Sequence, residues 1–313
     1  MRRSCSRGVR LVVGLAALTV ASPHVGFATD DNDPTSADLG SRSCRLAFRS
    51  DRTGAMDIWV LDRNGDRLRN VTADENFDTQ PSWSPSGNTI VFSSETDTTG
   101  ADLVAVRSDG EHRVQLTDDP SNELQPAWSP NRNEIAFVSD RTGNEDIYVL
   151  DLSSGAQRQL TDSVAHDSFP QWSPDGRYVS FFSRRDDGNA ELYVMNADGT
   201  AQRRLTETAA SEFISTWSPD GRQLAYVRQD GAEQQIWVMD VPTATARQLT
   251  FHPGTKQKPD WSPDGRLVAF HGTAAGTTDN EILVVHADGT GPVQRMTTSP
   301  ANDSQPDWNP RCR

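Results

Sequence analysis

Short apolar runs alternate with polar, Pro- and Gly-rich segments along almost the whole chain. No stretch carries the 3.6-residue apolar period of a long helix. Runs such as Ile90-Val91-Phe92, Ile135-Ala136-Phe137 and Val179-Ser180-Phe181 have the β-branched and aromatic content of strands. The turns between them recur with a fixed period. Tryptophan stands at Trp83, Trp128, Trp172, Trp217, Trp261 and Trp308, at spacings of 45, 44, 45, 44 and 47. Trp172, Trp217 and Trp261 each open WSPDG, Trp83 opens WSPSG, Trp128 WSPNR and Trp308 WNPRC.

Two further landmarks keep step. One is the run Asp57-Ile58-Trp59-Val60, repeated at Asp102, Asp146, Glu191, Gln235 and Glu281. The other is a threonine behind an apolar residue, at Thr72, Thr117, Thr161, Thr206, Thr250 and Thr297. Each repeat reads as four short strands, here called a to d. Strand a ends at the tryptophan, Ser-Pro-Asp-Gly turns the chain, and strand b is the apolar run. Strand c is the Ile-Tyr-Val run, and a turn such as Asp198-Gly199 leads into strand d.

A four-stranded unit of this length, six times over, predicts an all-β, six-bladed β-propeller over residues 44–312. An open solenoid is the competing architecture, and it would need polar capping repeats. The termini argue for a ring. The repeats begin at strand b (Leu46-Ala47-Phe48) and end after a strand a (Gln305-Pro306-Asp307-Trp308), so three N-terminal strands and one C-terminal strand complete one blade. Closure removes the exposed sheet edges of an open array. The six tryptophans are then expected between blades as core, in preference to a ligand-stacking platform. Trp59 and Trp237 share a column with Tyr148 and Tyr193 and are likewise expected to be core or blade-flank residues.

Composition adds the compartment. The 313 residues have a mean hydropathy of -0.65 and a formal charge of -14. Such a field repels phosphate backbones and anionic lipids, which excludes nucleic acid and membrane surfaces as natural partners. Arg2, Arg3, Arg7 and Arg10 precede the apolar run Leu11 to Val20, and Gly26-Phe27-Ala28 offers small residues at a cleavage site. Residues 1–28 are therefore expected to be a cleaved signal peptide, since the run is too short to span a membrane. Residues 29–43 read as a flexible lead-in, and the mature protein is expected in the periplasm or outside the cell, as a monomer. In that setting Cys44 and Cys312, which fall on adjacent positions of a normal repeat at the ring's seam, are expected to form a disulfide. Closing so long a loop would stabilise the ring by about 5 kcal/mol in the chain-entropy model.

The WSPDG turns, the Ser-Asp-Arg-x-Gly loops (Ser50–Gly54 and Ser139–Gly143), the Asp-Ile-Tyr-Val strands and the Leu-Thr pairs together resemble the propeller repeat of the TolB family, over residues 44–312. The resemblance implies an exported propeller that binds protein. Members of that family carry an α/β domain ahead of the propeller, and the fifteen residues between signal and repeats are expected to leave no room for it.

Candidate chemistry is sparse. There is no GxSxG elbow, HExxH or phosphate loop, and the histidines at 112, 166, 252, 271 and 286 have no ligand spacing. Asp62-Arg63-Asn64-Gly65-Asp66 lacks the Glu of a calcium loop and reads as a hairpin turn. The function expected is non-catalytic binding of an envelope protein or basic peptide segment. The alternative is a secreted propeller enzyme, a glycan lyase or hydrolase or a peptidase-like protein, with a channel-mouth site. The sharpest candidate site lies five residues before each tryptophan: Asp78, Glu123, Asp167, Glu212, Lys256 and Asp303. The topology places all six around one mouth of the channel, on the side of the variable b–c loops, with a formal charge of -4. Such a ring would focus the field on a cation, calcium for example, or on a basic peptide, and no other cofactor is implied. The structural reading is that each acid caps a backbone amide.

Overall fold

The computed structural model describes residues 44–62, 67–95, 100–273 and 278–312. The expected signal peptide, the lead-in and most of the Asp62–Asp66 turn lie outside the described residues. Within them the chain forms six four-stranded antiparallel sheets and no helix. In blade 4 strands a to d are Asp167–Trp172, Tyr178–Ser183, Glu191–Asn196 and Arg203–Arg204. Blade 1 is assembled as expected, from Asp303–Trp308 as strand a and Arg45–Ser50, Asp57–Asp62 and Leu68–Asn70 as strands b to d. The six a strands touch one another in sequence and the last touches the first, so strand a is innermost and the ring is closed.

Six apolar clusters hold the ring, each between two successive blades and each containing one landmark tryptophan. Trp172, for example, packs with Ala136, Ile147 and Val149 of blade 3 and with Phe181 and Tyr193 of its own blade. The indole Nε1 of Trp83, Trp172 and Trp217 donates to the strand-a carbonyl of Asp307, Ala127 and Gln171 in the blade before. An indole buries a large area, so one residue per interface supplies much of the driving force for closure.

The other landmarks have equally local reasons. In WSPDG, Asp175 Oδ1 accepts from Ser173 Oγ and the Arg177 amide, and Ser173 Oγ accepts from the Tyr178 amide. Asp220 and Asp264 repeat this. The threonine landmark is a relay. Thr161 Oγ1 accepts from the Ile147 amide at 2.9 Å and donates to Asp146, and the same two bonds recur in all six blades. The hydroxyl thus joins strands c and d on the side of the b–c loops.

The seam carries the two cysteines. Cys44 and Cys312 are both buried, unbonded, and packed with Leu46, Phe48 and Trp308. The tail after Trp308 is also pinned: the Asn309 amide donates to Arg45 O, and Asn309 Nδ2 to Gly87 O at 2.8 Å. Gly87 has φ +72, and an added Cβ would meet Asn309 Oδ1 at 2.4 Å, so only glycine fits beneath this tail. We expect oxidation to join the thiols in the exported protein. Alkylation followed by intact-mass measurement should then find neither cysteine labelled without reductant. Two labelled cysteines in the secreted protein would refute the bridge.

Candidate functional site

The six ring positions do come together at one end of the inner strands, on the side of the b–c loops. Each is fully buried, Lys256 at 1% exposure and the five acids at 0%. Among the described residues no backbone amide donates to any of the five acids. Each is instead met by an arginine. Arg52 Nη2 donates to both Asp303 oxygens at 2.7 and 2.8 Å, Arg141 to Glu123 at 2.6 Å, and Arg185 to Asp167 at 2.6 Å. Arg113 lies 3.2 Å from Asp78, and Arg228 lies 3.8 Å from Glu212. Five arginines added to five carboxylates and one ammonium change the expected formal charge of -4 to +1. The open acidic surface is therefore replaced by buried ion pairs beneath a partly exposed arginine layer, because carboxylates so far from water require a counter-charge.

The arginines are themselves positioned. Ser50, Ser139 and Ser183, at the ends of their b strands, accept from Arg52, Arg141 and Arg185 Nε at 2.9 Å each. The guanidinium planes then lie over the aromatic column of strand c, at 4.8 Å from Trp59, 4.6 Å from Tyr148, 5.0 Å from Tyr193 and 4.7 Å (Arg228) from Trp237. Blade 6 departs as a unit. Lys256 replaces the acid, no arginine among the described residues pairs with this position, and its Nζ donates to the carbonyls of Pro253 and Thr255. Gly272 stands where blades 1 to 4 have serine and blade 5 has Arg228, and a Cβ there would meet Thr255 O at 2.4 Å and Lys256 Cδ at 2.9 Å. Gln235 replaces the strand-c acid at the same interface. Three correlated exchanges thus accommodate one ammonium.

Elsewhere two acids share each interface, one from strand c and one from the next strand a. Burial raises the pKa of Asp102, Glu123, Asp146 and Asp167, and pushes Glu212 up to about 7, aided by Glu191. One oxygen each of Glu123, Asp167 and Glu212 is buried without a partner. A group with a raised folded pKa binds its proton more tightly in the native state. Its favourable contribution is present near pH 4.5 and is lost as pH rises toward about 7. The urea midpoint should therefore fall between pH 5 and pH 7.5, and Glu212→Gln should flatten the slope. A midpoint that rises across this window would contradict the shared-proton interface.

Below the ring, three residues before each tryptophan, strand a bulges. Gln80, Gln125, Phe169, Ile214, Lys258 and Gln305 all have φ between 49° and 59°. The register of every a–b pair shifts there. Left-handed non-glycine residues cost about 1–3 kcal/mol each and persist only where surroundings demand them. Three glutamines turn the strain into inter-blade bonds. Gln305 Oε1 accepts from the Gln80 amide (2.8 Å), Gln80 Oε1 from the Gln125 amide (2.8 Å), and Gln125 Oε1 from the Phe169 amide (2.6 Å). Two residues on, Asp307 and Asp260 accept the amides of Trp83 and Trp308 at 2.8 and 2.6 Å. These carboxyls are half-buried, enclosed by protein yet open to the bore. Burial pushes Asp260 up to about 6 and Asp307 well above the usual carboxylate range. Neither layer was singled out from the sequence, although both sit at constant offsets from tryptophan and five of the six bulges precede proline. Among the described residues no group of three or more His, Cys, Asp or Glu could hold a metal.

The family described as TolB beta propeller domain matches residues 208–313, and the Dipeptidyl peptidase IV N-terminal region matches residues 142–233. No curated protein matches the chain. Among solved structures, TolB from Acinetobacter baumannii is 24% identical, with a TM-score of 0.77 over 87% of this chain and 68% of that one. A putative TolB from Agrobacterium tumefaciens is 22% identical, with a TM-score of 0.64 over 82% and 90%. An oligogalacturonate lyase from Vibrio parahaemolyticus is 16% identical, with a TM-score of 0.56 over 80% and 73%. The described residues form a six-bladed β-propeller similar in fold to TolB, and residues 208–313 match the TolB beta propeller domain in sequence as well.

Proposed function

We propose that the chain is an exported, non-catalytic, protein-binding propeller of the cell envelope, which meets its partner on the face framed by Asp78, Glu123, Asp167, Glu212, Lys256 and Asp303. The observation that carries this reading is the distribution of exposed apolar side chains. Of the five exposed large apolar side chains among the described residues, the three most exposed, Val164, Phe251 and Phe77 at 100%, 73% and 42%, lie on or beside the d–a connections of that face, while Leu68 and Tyr178 lie at the other end of the blades. Apolar groups dotted among charged loops are the composition of a protein-contact surface. Asp186, Asp187 and Asp230 on the b–c loops of the same face are exposed but paired with Arg204 or Arg228, so a basic segment would meet them in exchange for those arginines. The buried ring then serves as the frame that fixes the loops. The TolB-like fold supports export, and no helix among the described residues is long and apolar enough to cross a membrane.

The test is capture from envelope extract on immobilised protein, against Val164→Ser/Phe251→Ser. A specific protein should be retained by the wild type and lost from the variant. Equal retention by both would overturn the placement of the binding face. The competing reading, a secreted propeller enzyme working at the channel, draws on the perturbed carboxyls Asp260 and Asp307 and on the lyase of similar fold. Product release from oligosaccharide or peptide substrates, abolished by Asp260→Asn, would establish that reading instead.

A further inference from the structure

Covalent closure of the ring would join two thiols that solvent barely reaches. Cys44 and Cys312 are 9% and 6% exposed. The space beside them, enclosed by Ser262, Pro263, Asp264, Leu267 and Trp308, is a cavity of about 10 Å³. That is room for one water and for no larger reagent. Burial, followed by the neighbouring Cys44 thiol, pushes the Cys312 thiol above its ordinary pKa, so the docked pair holds little thiolate. Thiol–disulfide exchange needs a thiolate and an open approach to sulfur, and this packing denies both.

Two coverings hide the pair, and they differ in strength. One is the interface of blades 6 and 1, where Trp308 packs with Leu46, Phe48, Ala269, Ile282 and Val284. Opening it would bare a tryptophan and its apolar surroundings. The other is the segment 309–312, which belongs to no strand. Its side chains reach across to the turn of blade 2: Asn309 Nδ2 donates to Gly87 O and Arg311 Nε to Pro85 O, each at 2.8 Å. Within the segment Asn309 Oδ1 accepts from the Arg311 amide at 2.9 Å, and Asn309 O from the Cys312 amide at 3.1 Å. Asn309 therefore both grips blade 2 and shapes the turn that delivers Cys312. Lifting the segment breaks a few hydrogen bonds, which water replaces, and uncovers little apolar area. Openings of that kind are far more frequent than loss of the core.

We infer that residues 309–312 form a strap, docked on blade 2, whose lifting gates the making and breaking of the Cys44–Cys312 bond while the ring stays folded. With the strap lifted, the Cys312 thiolate attacks a small disulfide such as oxidised glutathione and releases one glutathione thiolate. The Cys44 thiolate then attacks the Cys312 sulfur of the mixed disulfide and releases the second. Two protein thiols are oxidised, one glutathione disulfide is reduced to two thiols, and the two protons pass to the leaving groups. This route presupposes the bridge expected in the exported protein. The test starts from reduced mature protein in excess oxidised glutathione, and follows bond formation by acid quench, alkylation in denaturant and intact mass. The wild-type rate should barely change with urea below the unfolding transition, since a lifted strap exposes little surface. Asn309→Ala should speed bond formation about tenfold, the equivalent of one buried hydrogen bond lost from the docked state, with unchanged tryptophan fluorescence. A rate that climbs with urea at the slope of global unfolding, or equal rates in wild type and folded Asn309→Ala, would overturn the strap and leave the bridge standing. If Asn309→Ala fails to fold, Arg311→Ala, which removes the bond to Pro85 O, supplies the same comparison. No bond under any condition, refolding in the same buffer included, would overturn bridge and strap together.

Discussion

Removal of residues 304–313 should abolish cooperative unfolding of the whole domain. The deletion takes one strand, but that strand closes the ring. Trp308 packs against Leu46 and Phe48 on one side and Ala269, Ile282 and Val284 on the other. Loss of a buried tryptophan alone costs about 3–5 kcal/mol. The same segment supplies Asp307 to the Trp83 amide and Gln305 to the Gln80 amide of blade 2, and its own amides bond Asp260 and His271 of blade 6, so both neighbouring blades lose partners. Domains of this kind are stable by only about 5–15 kcal/mol, and the summed loss reaches that figure. Thermal unfolding followed by near-ultraviolet circular dichroism should therefore lose its sharp transition. Melting like the wild type's would mean that blade 1 is not needed for closure.

The second large effect is expected at the ring. Arg185→Ala leaves Asp167 buried at 0% exposure with its guanidinium partner gone, and it also uncovers Phe181 and Tyr193. Breaking one half of a buried pair costs about 3–5 kcal/mol, and the lower end applies because the arginine keeps some contact with water. Asp167→Asn in the same chain should restore most of the loss, since the neutral amide needs no counter-ion. Urea denaturation of the four proteins in this cycle measures the coupling. A single variant as stable as wild type, or a double variant worse than both singles, would show that the pair does not bear on stability.

The architecture was legible because it is periodic: the tryptophan, WSPDG and threonine positions recur at one spacing, and each serves a local bond or an inter-blade contact that repeats. The ring positions were legible for the same reason. Their charge balance was not. Arg52, Arg141 and Arg185 occupy one loop position, but Arg113 arrives from beside strand d and Arg228 from within strand b, so no common offset betrays their convergence. The bore layer is not legible in the sequence because its constant feature is a backbone conformation. Gln80, Phe169 and Lys258 share a positive φ and nothing in side-chain chemistry.

The glutamine bonds have a sense of direction. Blade 1 grips blade 2, blade 2 grips blade 3, and blade 3 grips blade 4, each through a side chain that holds the next backbone. At Phe169 and Ile214 the succession stops, since neither side chain has an acceptor to offer. Three interfaces are thus laced from glutamine to backbone, while the other three are joined by bonds of other kinds, such as Trp217 Nε1 to Gln171 O, Thr216 Oγ1 to Asp260 and the Trp308 amide to Asp260. Amide exchange should be slow at Gln80, Gln125 and Phe169 and faster at Ile214 and Lys258. A nearly six-fold sequence thus carries this one directional bond around blades 1 to 4 only, and exchange at the bulges reads that asymmetry directly.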